Sequence, residues 1–96
     1  MTDVRFALRA QRDAQRIDVW WRKNRDSSPQ LFGSELNQAV LLLRAAPELG
    51  RMYGEANTEK VRRLLLRESR FHLYYTYDRE ACEVVVVTVC GAQRRR

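Results

Sequence analysis

Hydrophobic and polar residues change their spacing several times along the chain, and each change predicts an element. Val4, Phe6 and Leu8 alternate with Arg5 and Ala7, the period of two of a short strand over residues 4–8. Over residues 10–25 the apolar positions Ala10, Ala14, Ile17 and Trp21 are spaced by four, three and four, which keeps one helix face toward a core. Arg9, Arg12, Arg16 and Lys23 fall on a different face, while Asp13 and Asp18 stand four residues from Arg9 and Arg22, the spacing of helix ion pairs. Trp20 is turned about 100° from Trp21 and is expected to be partly exposed.

Residues 24–29 read as a turn, with Ser28 as a cap and Pro29 at the first helical position, where a missing N–H costs nothing. Phe32, Leu36, Ala39, Val40 and Leu43 then form the stripe of a second helix ending at Ala46, before Pro47. Residues 47–59 show little periodicity and are assigned to a loop, with Met52 and Tyr53 tucked against the core. Three strand-like runs follow, over residues 60–67, 70–77 and 82–90, and their short separations imply consecutive hairpins. Arg63, Leu65 and Arg67 share one face of the first run, and Arg62, Leu64 and Leu66 the other. In the second, Phe71, Leu73, Tyr75 and Tyr77 oppose Arg70, His72, Tyr74 and Thr76. The third run is apolar on both faces, as in a central strand. The fold class is therefore α+β: an N-terminal strand, an antiparallel two-helix hairpin and a three-stranded antiparallel meander in one sheet, its other face partly open.

Length and charge narrow the function. At 96 residues the expectation is a single domain over residues 1–96. No apolar run, Val84 to Val87 included, comes near the roughly 20 residues a membrane span needs, and charged residues interrupt the N-terminus where a signal peptide would be apolar. The expected location is the cytoplasm. The net charge of +6 comes from 16 arginines and 2 lysines against 12 acidic residues, so an anionic partner is one reading and ordinary solubility the other. Cys82 and Cys90, in one apparent strand, would stand roughly 26 Å apart, beyond disulfide reach, and are read as buried thiols. With His72 the only histidine, no ordinary metal cluster can be assembled, and no cofactor motif is present.

The chemistry-bearing candidates are cationic and aromatic. Arg63 and His72 on facing strands, with Arg67 and Arg70 near, would offer charge stabilisation and a group that titrates near neutrality; solvated strand ends are the alternative. Tyr74, Tyr75 and Tyr77 with Arg62 and Arg63 read either as sheet packing or as a base-stacking platform. The exposed tryptophan and the strand edges fit a partner's helix or added strand.

Phe6 to Ile17, Trp20-Trp21, the second helix ending Ala46-Pro47-Glu48-Leu49-Gly50, then Val61-Arg62-Arg63-Leu64, Arg70-Phe71-His72-Leu73-Tyr74-Tyr75 and Val86-Val87-Thr88-Val89-Cys90-Gly91-Ala92 together make the chain resemble the RelE/ParE superfamily of bacterial toxins over nearly its whole length. The resemblance implies the toxin of a type II toxin–antitoxin pair, neutralised by a small antitoxin with a wrapping tail whose acidity would suit the arginine excess. RelE-like members cut mRNA on the ribosome with several basic side chains on the sheet and a late tyrosine or histidine. Here Arg63 matches one such base, but Leu65 stands where a second is expected, His72 where an arginine is usual and Gln93 near an expected arginine, and no late tyrosine is present. The ParE-like branch, which inhibits DNA gyrase by binding, is therefore the expected activity, with no catalytic residues, no cofactor and nucleic acid engaged only indirectly. Were the chain a ribonuclease, Arg63 and His72 would carry the reaction. Target contacts are assigned to Arg12, Arg16, Arg94, Arg95 and Arg96, and antitoxin contacts to Trp20, Leu64, Leu66 and Tyr74, on the open sheet face and the groove beside the helices.

Overall fold

The computed structural model describes residues 1–56 and 59–92, with the side chains of Glu55 and Ala56 left aside. The chain runs β1 (Asp3–Phe6), α1 (Leu8–Asn24), α2 (Leu31–Ala45), β2 (Arg51–Ala56), β3 (Glu59–Leu66), β4 (Phe71–Asp78) and β5 (Glu83–Gly91). The strands form one sheet in the order β1-β5-β4-β3-β2. β2 to β5 pair antiparallel in sequence order, and β1 closes the sheet by pairing parallel with β5, Asp3 opposite Glu83 and Phe6 opposite Val86. β5 is thus an inner strand, as its apolar residues on both faces require.

Both helices cover one face. Ala10, Ile17 and Trp21 of α1 and Phe32, Ala39 and Leu43 of α2 meet Leu66, Leu73, Tyr75, Val84, Val86 and Val89 of the sheet in one buried cluster. These helix positions belong to the stripes expected from their spacing. Trp21 and Phe32 each set an edge against Phe71, with ring centroids 6.4 and 5.3 Å apart. Asp13 fastens α1 to the sheet. The register of β4 with β5 shifts between Tyr74 and Tyr75, leaving Val87 as an extra residue. At this bulge Asp13 Oδ2 accepts hydrogen bonds from Thr88 Oγ1 (2.7 Å) and the Val89 N–H (3.1 Å). Burial alone would raise the Asp13 pKa, but these two bonds and the guanidiniums of Arg16 and Arg9 outweigh it, so the carboxyl titrates below the usual aspartate range.

Two further ties hold the helix layer and its connections. Glu35 on α2 accepts from the Glu68 N–H (2.7 Å), the Ser69 N–H (2.9 Å) and the Ser69 hydroxyl (2.7 Å), which clamps the turn between β3 and β4. The turn ends at Arg70 in the left-handed region, φ 67°. Tyr75, fully buried, donates its hydroxyl to the Pro47 carbonyl (2.8 Å) and accepts the Gly50 N–H (2.8 Å), anchoring the entry to β2. Burial pushes the Tyr75 hydroxyl pKa up. Gly50 has no room for a side chain, since a Cβ there would lie 2.7 Å from the Tyr75 hydroxyl and 3.0 Å from the Arg63 carbonyl.

Several expectations are corrected. Residues 47–59 are not a loop: Arg51–Ala56 is an edge strand, so the antiparallel part of the sheet has four strands instead of three. Met52 and Tyr53 are 47% and 58% exposed and do not tuck into the core. The reason is that β2 is held by its backbone to β3 and shifts register between Met52 and Gly54, so it needs no apolar alternation. Leu8 opens α1 and points to solvent, leaving Val4 and Phe6 to pack on the core. α2 starts at Leu31 behind Gln30 with no side-chain cap; Ser28 instead offers its carbonyl to the Trp21 indole N–H (2.8 Å). Both thiols are exposed, Cys82 in the turn before β5 with φ 54° and Cys90 near the strand's end. Among the described residues, no helix is long and apolar enough to cross a membrane.

Candidate functional site

The face of the sheet away from the helices gathers the cationic and aromatic candidates. Arg63 lies opposite Tyr74, and Leu65 lies opposite His72, so Arg63 and His72 share a face but sit on a diagonal, two rows apart. Tyr74 joins them through its ring, 5.8 Å from His72 and edge-on. Tyr53 extends the row from the neighbouring edge strand: its ring meets Tyr74 edge-on at 4.9 Å, and the Arg63 guanidinium lies over it at 5.1 Å. Arg63, Tyr53, Tyr74 and His72 therefore form one continuous strip. A shallow cavity of about 370 Å³ beside it is lined by Arg51, Arg63, Leu65, Arg67 and His72 among others.

Tyr53 is the member that sequence reasoning missed. Its side chain arrives through the register shift of β2, which has no signature in the hydrophobic pattern. The three-tyrosine platform, in contrast, does not form. Tyr75 is buried and Tyr77 packs against the core, because alternation sends both to the helix-covered face and only Tyr74 to the open one.

A second surface lies where β3 outruns its neighbour. Pairing with β2 stops at Arg51 opposite Arg63, so among the described residues no strand pairs with that edge of β3 from Leu64 to Leu66. α2 runs beside the vacant edge, and together they enclose a groove of about 320 Å³ lined by Glu35, Ala39, Leu42, Leu64, Leu65 and Arg67 among others. The exposed Leu42 stands at this groove.

The residues assigned to the antitoxin do not make one surface. Leu66 is only 3% exposed and belongs to the core cluster, and Leu64 packs against that cluster from the groove side. Tyr74 lies on the opposite face of the sheet, and Trp20 is at the far end of α1 with the Arg25 guanidinium 5.3 Å from its ring. Alternation places Leu66 with Leu64 on the helix side, where α2 covers most of it and both residues line the groove. Arg12 and Arg16 are exposed on α1, the latter reaching Asp13 at 3.3 Å. Arg94, Arg95 and Arg96 lie outside the described residues. Among the described residues no three His, Cys, Asp or Glu side chains are grouped to hold a metal ion.

The model of the ParE toxin of type II toxin–antitoxin systems, of the parDE type, matches residues 4–95. The chain belongs to the ParE toxin family. Solved structures with this ParE-family fold include a chain of the chromosomal ParDE toxin–antitoxin system of P. aeruginosa, with a TM-score of 0.74 at 14% identity, 97% of this chain and 98% of that one being covered. A chain of the intact E. coli RelBE toxin–antitoxin complex superposes with a TM-score of 0.64 at 21% identity, covering 98% of this chain and 100% of that one. The isolated E. coli RelE toxin gives 0.64 and 21%, covering 100% and 89%. The ParDE chain is thus the less identical in sequence and the better match in shape. No curated protein sequence matches.

Proposed function

We propose that this ParE-family toxin acts by binding DNA gyrase and blocking supercoiling, and that a cognate antitoxin neutralises it. The family match over residues 4–95 supports the ParE branch, and one feature of the open face carries the choice of binding over cleavage. Phosphodiester cleavage needs a proton acceptor and cationic donors placed where charge develops. Leu65 stands directly opposite His72 at the middle of that face, so an apolar side chain occupies the position between Arg63 and Arg67 where a second base would be needed. The antitoxin is assigned to the groove between α2 and the vacant edge of β3, which suits an added strand or an apolar helix face; the ParDE and RelBE structures are themselves toxin–antitoxin assemblies.

The purified chain, mixed with gyrase and relaxed plasmid, should stop supercoiling and leave mRNA on stalled ribosomes intact. Normal supercoiling at a molar excess of the chain sinks the reading. A second reading, ribosome-dependent mRNA cleavage, has one observation in its favour: the strip of Arg63, Tyr53, Tyr74 and His72 offers cation, stacking rings and a titratable imidazole together. Under that reading mRNA is cut, and Arg63→Ala and His72→Gln each abolish cutting.

A further inference from the structure

α1 carries an outward face that neither the core nor the two surfaces above use. At about 100° per residue, Leu8, Val19, Arg12 and Lys23 fall within roughly 60° of one another, with Arg16 and Arg9 next to them. This arc runs about 22 Å along the helix at roughly 1.5 Å per residue. Its charges are all basic: Asp13 and Asp18 both lie off it, and among the described residues neither Arg12 nor Lys23 forms an ion pair, whereas Arg9 and Arg16 lean on Asp13. It is also unusually apolar for a solvated helix face. Leu8 and Val19 are each 59% exposed and Trp20, at the arc's edge, 45%.

This mixture selects the occupant. A phosphate backbone would satisfy Arg12 and Lys23 and leave Leu8 and Val19 facing charged oxygens. A protein surface with carboxylates around a small apolar centre complements both kinds of residue, the apolar contacts supplying the buried centre and the charge pairs the rim. The groove assigned to the antitoxin is lined by residues of α2, β3 and the turn after β3, and shares none with this face.

We infer that the outward face of α1, centred on Arg12 and Val19, is the docking surface for the toxin's protein target, which presents an acidic patch with an apolar centre. The inference rests on the reading that the chain acts by binding a protein. It adds to it the apolar anchors Leu8, Val19 and Trp20 and the cation Lys23.

The test uses the full chain, with Arg12→Glu, Val19→Asp and Lys60→Glu as variants, the last changing charge equally on β3. Each is expressed to score growth arrest, assayed for inhibition of plasmid supercoiling by purified gyrase, and melted to confirm folding. Lys23→Ala replaces either face variant that fails to fold. The expected result is inhibition weakened about tenfold by Arg12→Glu and by Val19→Asp, falling with added salt for wild type, and unchanged by Lys60→Glu. Inhibition equal to wild type in both face variants overturns the inference and leaves the gyrase reading standing. If the wild-type chain does not inhibit gyrase, that reading fails and growth arrest decides: arrest lost in folded Arg12→Glu and Val19→Asp keeps the face for another protein target, and arrest unchanged, or absent from the wild type, overturns it. Tight binding of a short DNA duplex that Arg12→Glu abolishes overturns it in favour of nucleic acid.

Discussion

Replacing Tyr75 by phenylalanine isolates the contribution of one buried hydroxyl to the edge of the sheet that carries Tyr53. The ring and its packing remain; only the oxygen that bridges the Pro47 carbonyl and the Gly50 N–H, at 2.8 Å to each, is lost. Each bond contributes about 1 kcal/mol net, and a buried N–H left without an acceptor adds a desolvation cost, so the total is about 2–3 kcal/mol. For a chain of this size that lowers Tm by about 10–20 °C. The turn stays attached, because the Arg62 guanidinium still donates to the carbonyls of Glu48 (3.1 Å) and Gly50 (2.9 Å). The loss is therefore expected to be local as well as global. Thermal unfolding followed by circular dichroism measures the first, and amide hydrogen exchange the second, with the Gly50 N–H exchanging about 30- to 150-fold faster while the α1 amides change less. A Tm shift below about 3 °C with Gly50 exchange unchanged would refute the assignment of this hydroxyl as the anchor of β2.

Asp13, whose carboxyl is held below the ordinary value of 3.8, contributes stability that is fully present above that pH and is lost as the pH falls through the lower folded-state value. Unfolding melts from pH 6 to about pH 2 should therefore show wild type losing stability in acid more steeply than Asp13→Asn. Gly50→Ala is expected to cost about 1–3 kcal/mol by overpacking against Tyr75, measured by urea unfolding. Leu66→Ala should cost about 2–4 kcal/mol as a core truncation, whereas Leu42→Ser, at the exposed groove, should leave the urea midpoint almost unchanged and weaken antitoxin binding in calorimetry. Equal stability losses in these last two would contradict the division between core and groove.

The legible part of this fold is the part that burial writes into spacing. Ala10, Ile17 and Trp21, and Phe32, Ala39 and Leu43, could be picked as core because a helix on a sheet must bury one stripe, and a wrong residue there costs kilocalories. The inner position of β5 followed in the same way from valines on both of its faces. β2 left no such trace: an edge strand held by backbone hydrogen bonds, exposed from Arg51 to Gly54 and shifted in register near Tyr53, obeys no hydrophobic period. Cys90 misled for a different reason: it lies opposite His72, so alternation puts it on the face of the sheet that the helices leave open, while Val89 beside it is buried.

The candidate surfaces divide along the same line. That Arg63 and His72 face the same side was readable by counting alternate residues along two hairpin strands. The diagonal between them, and the ring of Tyr53 closing over Arg63, depend on how three strands are registered, and register is decided by turns and bulges acting together across the sheet. The basic character of α1 was equally plain in its arginines; that Leu8 and Val19 stand exposed among them was decided by which stripe the sheet claimed. By itself the sequence determined the elements that bury a face, the core stripes and the sign of the charge, because local periodicity records burial. Which side chains meet on the surfaces left over was decided only by tertiary structure, because those contacts join residues far apart in the chain whose spacing no burial constraint records.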